Sequence, residues 1–219
     1  MDKLARDMIA AALRSTADAL SKDHFGALTQ EHQLTSRLAE GLERSQLNGL
    51  DVLGDWVSIT TQEFPDKGAG ALEHKTGVDL YVGVNVLETN GFSKGFFVQS
   101  KWKALGRPTK DRNDLRRQCE GMLEISPWSY VWLYGPDGIE VVRARDVVDL
   151  PHMQPEQLSP RNVGDTFGQV LACNEGDPLW AVPEGPGKRM RLAKLLADLT
   201  VHRALSFTIA PTRRRPRRF

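Results

Sequence analysis

A chain of 219 residues that is 40% hydrophobic and 26% charged has the make-up of a soluble globular domain with a substantial core, which excludes a disordered or low-complexity polymer. No apolar run approaches the ~20 residues a membrane-spanning helix needs, and the N-terminal MDKLARDMIAAALRS is amphipathic and carries acids, unlike a secretory signal. Net charge is +1 from 29 basic and 28 acidic residues, and setting aside the five arginines Arg213, Arg214, Arg215, Arg217 and Arg218 turns this into −4 for the body, so nucleic-acid contact by the body would require local clustering of charge.

Two cysteines, Cys119 and Cys173, have no further Cys or His at metal-ligand spacing. They read as reduced thiols of a cytoplasmic protein without structural zinc. The five histidines show no pairing at metal spacing, and no GxSxG or Cys/His pattern points to acyl transfer.

Taken in order, 3–22 is predicted as a packing helix with Leu4, Met8, Ile9, Leu13 and Leu20 near one face, stopped by Gly26. Thr29 is a reasonable N-cap for a second helix over 30–44. Leu34, Leu38 and Leu42 form its buried stripe. Taking Leu34 as zero, Glu31 falls at ~60°, inside the stripe, and Glu40 and Glu43 at ~240° and ~180°, on the far side. A carboxylate at Glu31 either needs a partner or a cation, or stays wet in the first turn and favours the helix dipole.

Asp55–Glu63 is rich in β-branched residues and reads as a strand, followed by a Pro/Gly loop. Glu73 then stands either as a supporting acid or as a solvated charge beside Lys75. The GxG there lacks a Gly-Lys-Ser/Thr ending, which excludes a P-loop. Two strand-like runs, 78–87 and 95–102, flank a turn-rich segment containing Asn90-Gly91. In the first, even positions are apolar and the odd positions Asp79, Tyr81, Gly83 and Asn85 form a polar face. In the second, Phe97, Gln99 and Lys101 share a face. A two-residue hairpin at Asn90-Gly91 would set Asp79 opposite Trp102 and away from Gln99, so a shared site requires a loop of odd length or a bulge.

A polar connection over 107–111 leads to a helix over 114–125, whose apolar set is Leu115, Cys119, Met122 and Leu123. Gln118 lies within it, and Arg112 and Arg116 add positive charge. Strands follow at 128–134 and 139–144 around the turn Pro136-Asp137-Gly138. Residues 146–162 read as a loop, 166–173 and 189–199 as helices, and 211–219 as a basic tail without a core-forming pattern.

Asp79 with Gln99-x-Lys101 on two adjoining strand runs, between suitable helices, resembles the PD-(D/E)xK nuclease superfamily in its Asp…Gln-x-Lys variant, as in Mrr-like and anti-phage effector nucleases. The resemblance covers 29–145, between an N-terminal helix (1–28) and a helical and loop extension (146–210) that precedes the tail. It implies an α/β fold of restriction-endonuclease type, a mixed sheet of four or five strands flanked by helices. It implies Mg²⁺- or Mn²⁺-dependent cleavage of phosphodiester bonds, in DNA rather than RNA, in bacterial anti-phage defence or restriction. The metal would be held by Glu31, Asp79, Gln99 and the Ser100 carbonyl, while Lys101 acts on the attacking water and the charged transition state. Glu73 and Gln118 would support the site. Lys103, Arg112, Arg116, Arg213, Arg214 and Arg215 would bind the nucleic acid, and a partner protein or a homo-oligomer would supply control. Gln99 stands where a glutamate is usual, so a noncatalytic nucleic-acid-binding or assembly subunit is the alternative.

Overall fold

The computed structural model describes residues 1–25, 31–63, 76–104, 106–197, 199, 201 and 203–212, with the side chains of Glu31 and His32 excepted. Its elements are α1 (Lys3–His24), α2 (Glu31–Arg44), β1 (Asp51–Val52), β2 (Asp55–Glu63), β3 (Leu80–Val86), β4 (Phe92–Trp102), α3 (Thr109–Ile125), β5 (Ser129–Gly135), β6 (Gly138–Arg143), α4 (Ala144–Asp149), β7 (Arg161–Asn162), α5 (Val163–Leu171), α6 (Lys188–Ala197) and β8 (Arg203–Pro211). The strands form one mixed sheet in the order β1-β2-β8-β3-β4-β5-β6-β7. The fold is therefore α/β, a mixed sheet flanked by helices, as expected. Among the described residues no helix is long and apolar enough to cross a membrane.

Each sheet face carries its own core. Leu80, Val82, Val84, Phe96 and Val98 pack beneath α1, α2 and α5. Tyr81, Phe97, Val131 and Leu133 pack beneath α3, α4 and α6. Every residue of β3 is buried. The odd face expected to be polar is thus a second interior face, with Tyr81 fully buried and Asn85 nearly so. A strand covered on both sides loses its alternation because neither side meets water.

In α2 the stripe Leu34, Leu38 and Leu42 is buried as predicted. In α1 the row that packs is Ala5, Ile9, Leu13 and Ala17, while Leu4 and Met8 are 60% and 44% exposed. Small residues let α1 come close to α5: a Cβ on Gly164 would lie 2.7 Å from the Ala10 carbonyl oxygen.

The sheet holds eight strands where four or five were expected, and the largest addition is β8. It comes from the segment read as a helical and loop extension, yet it lies between β2 and β3, antiparallel to one and parallel to the other. Its signal was present: Leu205, Phe207 and Ile209 alternate with Ser206 and Thr208. Parallel pairing to β3 is a long-range choice that local pattern does not reveal.

At one end of the sheet Glu175 is buried and accepts from Tyr130 Oη at 2.8 Å, Arg143 Nη2 at 2.5 Å and both terminal nitrogens of Arg161 at 3.0 Å. Burial pushes its carboxyl pKa up, but the hydrogen bonds from Arg161, Arg143 and Tyr130 outweigh burial and hold it below the usual carboxylate range. A depressed folded-state pKa contributes stability above the unfolded-state value, and that stability is lost as pH falls through the folded one. Urea denaturation of wild type and Glu175→Gln should differ by ~1–3 kcal/mol near neutrality. The gap should close as pH drops below the ordinary carboxylate range, whereas a constant gap would mean that the folded carboxyl is not held charged.

Candidate active site at the end of the central hairpin

β3 and β4 pair with Leu80 opposite Val98 and Val86 opposite Phe92. The connection over 87–91 has five residues, and Gly91 N–H donates to the Glu88 carbonyl at 3.0 Å within it. The loop is therefore odd in length, the condition the site requires, and not a two-residue Asn-Gly turn. Asp79 lies just before β3, where the ladder ends at Leu80 opposite Val98, and its N–H donates to the same Val98 carbonyl at 2.9 Å. That places its side chain beside Gln99.

The carboxylate is held tightly. Asp79 Oδ2 accepts from Gln99 Nε2 at 2.7 Å and from the Ser100 N–H at 2.8 Å. Gln99 Nε2 also donates to the Ser100 carbonyl at 3.3 Å. The Gln99 amide NH2 thus stands between two oxygens, Asp79 Oδ2 and Ser100 O. Gln99 is buried, while Asp79 and Lys101 are half-buried. Lys101 faces α3: burial pushes the Cys119 thiol up to about 12, and the Lys101 charge opposes that rise.

Three residues that the sequence reading did not single out hold the frame. Thr35 Oγ1 donates to Ser100 Oγ at 2.7 Å and lies 3.4 Å from Tyr134 Oη, so α2, β4 and β5 are linked on the face opposite Asp79. Burial pushes the Tyr134 hydroxyl up to about 12, and it remains a neutral hydrogen-bonding group. A threonine inside a leucine stripe was the available sign. The third is Gly77, with φ of +67°, where an added Cβ would lie 2.6 Å from Gln118 Cβ and 2.7 Å from the Gln118 carbonyl oxygen. The Asp79 segment therefore rests directly on α3.

Of the other predicted residues, Gln118 is at the site's edge, and its Oε1 is buried with no hydrogen-bond partner among the described residues. The Glu31 backbone opens α2 one turn before Thr35. The Glu31 side chain, Glu73, Arg213, Arg214 and Arg215 lie outside the described residues. Three expected nucleic-acid contacts have local partners. Lys103 Nζ donates to Glu140 at 2.7 Å, Arg116 Nε to Glu120 at 2.9 Å, and Arg112 to Thr109 Oγ1 at 3.1 Å. Glu140 and Glu120 balance the charges of Lys103 and Arg116, whereas the partners of Arg112 are neutral oxygens.

Among the described residues no three His, Cys, Asp or Glu side chains group as metal ligands. The oxygens that do converge, Asp79 Oδ2 and Ser100 O, are hard donors bridged by the Gln99 amide NH2, and such a pair fits a small divalent cation that keeps several waters.

Gly77→Ala tests how this segment is held. Gly54, with φ of +90° and no atom within 4 Å of an added Cβ, is the control for backbone strain alone. Gly54→Ala should cost ~1 kcal/mol, and Gly77→Ala clearly more, with a further drop of several degrees in Tm by calorimetry. Equal losses would mean that Gln118 yields freely. Comparison of the chain with protein-family models, curated proteins and solved structures returns no match.

Proposed function

We propose that this protein hydrolyses phosphodiester bonds in DNA with the help of a divalent cation, Mg²⁺ or Mn²⁺. The observation that carries this reading is the convergence of Asp79 Oδ2 and the Ser100 carbonyl on the Gln99 amide NH2, with Lys101 next along β4. Asp79, the Ser100 carbonyl and, once the amide turns, Gln99 Oε1 would hold the cation. When bound, it supplies Lewis-acid polarisation of the phosphoryl oxygen and acidifies water.

The chain's own groups do the rest. The Asp79 carboxylate is oriented by donors from Gln99 Nε2 and the Ser100 N–H. Lys101 presents an ammonium where negative charge grows on the phosphate, which favours the transition state over the bound substrate. The links among Thr35, Ser100 and Tyr134 fix the β4 backbone, so the Ser100 carbonyl and Lys101 keep their mutual placement. The setting that fits the resemblance is bacterial anti-phage defence or restriction in the cytoplasm, with a partner protein or a second copy controlling access.

A second reading follows from the same contact. The Gln99 amide neutralises nothing, and its NH2 closes the space between the two oxygens, so a noncatalytic subunit that binds nucleic acid is the alternative.

Two experiments separate the readings. Plasmid cleavage with Mg²⁺ or Mn²⁺ should vanish in Lys101→Ala while DNA binding stays within a few-fold of wild type. No cleavage by wild type with any divalent ion would remove the enzyme reading. Gln99→Glu replaces an N–H donor with a carboxylate against Asp79. In EDTA it should lose at least ~2 kcal/mol, or roughly 4–8 °C in Tm, and millimolar Mg²⁺ or Mn²⁺ should restore most of it. A loss that no cation relieves would argue against a metal site here.

A further inference from the structure

The strongest concentration of unbalanced charge among the described residues lies on α6. Within Lys188–Ala197 the helix carries Lys188, Arg189, Arg191 and Lys194 and no acid. All four are exposed, while Leu192 and Leu196 anchor the helix in the core beneath β3 and β5. This is net +4 on ten residues, set on a body whose charge without the tail is −4.

α6 also lies at the right end of the sheet. Gln62, Ala204 and Tyr81 stand level across β2, β8 and β3, two residues from the level of Asp79. Gln62 Nε2 donates to the Arg189 carbonyl at 3.2 Å, which sets the start of α6 against β2. Thr76 Oγ1 donates to the Leu199 carbonyl at 2.8 Å, which ties the chain just past α6 to the segment leading into Asp79. The helix therefore spans from β2 to the candidate site. Between it and the sheet runs a narrow groove with Lys188 and Arg189 on one side and the apolar Val182, Pro183 and Leu192 also in its lining; Thr60, Gln62, Ser206 and Thr208 supply neutral polar groups of the kind that bind phosphate oxygens.

Thr212, the last described residue before the basic tail, lies elsewhere. Thr212 is bonded to Asp51 and Gly54 at the far end of β8, about 30 Å from the Asp79 end at ~3.3 Å per residue.

We infer that α6 and its groove bind the sugar-phosphate backbone of duplex DNA and lead it to the Asp79 end of the sheet. This inference deepens the nuclease reading and rests on it for the destination of the strand. Charge complementarity selects the occupant. A ten-residue helix is about 15 Å long, and one strand of B-DNA presents about four phosphates over that axial length. Lys188, Arg189 and Lys194 supply three cations for those phosphates, with the hydroxyls of Thr60, Ser206 and Thr208 beside them. Arg191 also donates to the carbonyls of Glu184 and Pro186, so it is left intact in the test.

The test uses the full chain and fluorescence anisotropy with a labelled 30-base-pair duplex over a range of salt, with single-stranded DNA, RNA and polyglutamate as further probes. The triple variant Lys188→Gln/Arg189→Gln/Lys194→Gln should bind duplex DNA at least tenfold more weakly at low salt. The slope of log affinity against log salt should be shallower by about 2–3. A variant with the same charge loss on α1, Lys3→Gln/Arg14→Gln/Lys22→Gln, should bind as wild type. In cleavage the α6 variant should raise KM and keep kcat. Wild-type affinity and slope in the α6 variant would overturn the inference and leave the nuclease reading standing. DNA binding that depends on α6 without any cleavage would uphold the inference and remove the nuclease. Preferential binding of polyglutamate or RNA over duplex DNA would overturn it in favour of an acidic protein or RNA partner.

Discussion

Side chains alternate along a strand, so a one-residue slip between β3 and β4 would carry Asp79 to the face opposite Gln99 and Lys101. In the observed register, Leu80 opposite Val98 and Val86 opposite Phe92 leave a five-residue connection over 87–91, and that slip has not occurred. Packing holds the register too, because β3 is buried on both faces and each face has its own complement of side chains. Asp79 then takes two N–H donors from β4, and the rest of the site is arranged around that contact.

The two faces divide the labour. On one, α2 binds the back of β4 through Thr35 and Ser100 and reaches Tyr134 on β5. On the other, α3 supports the Asp79 segment through the close approach of Gly77 to Gln118. The site thus sits at the sheet's end with a helix behind it and a helix beneath it. The Glu175 cluster joins β5, β6 and β7 to the chain beyond α5, away from the Lys101 end of β4.

Charge is distributed on a similar plan. Lys103 and Arg116 are balanced by Glu140 and Glu120, whereas α6 leaves four cations without an acid of its own. An overall charge near zero hides this arrangement, since the field a polyanion meets depends on where charges lie and not on their total. Thr212, which precedes the arginine-rich segment in the sequence, lies at the end of β8 away from Asp79.

Local chemistry in the sequence determined a good part of this protein. The leucine stripe of α2, the β-branched run of β2 with its observed bounds, the two strands of the hairpin and the pairing of Gln99 with Lys101 on one face all follow from periods of 3.6 and 2. The condition that the hairpin loop be odd in length could also be stated in advance. Tertiary structure decided the rest, because the deciding contacts join residues far apart in the chain. β8 pairs with β3 across more than a hundred residues. The odd face of β3 is interior because α3, α6 and the chain over 180–182 cover it. Which end of the Gln99 amide meets Asp79, and which surface cations keep no internal partner, depend on neighbours that no local window contains.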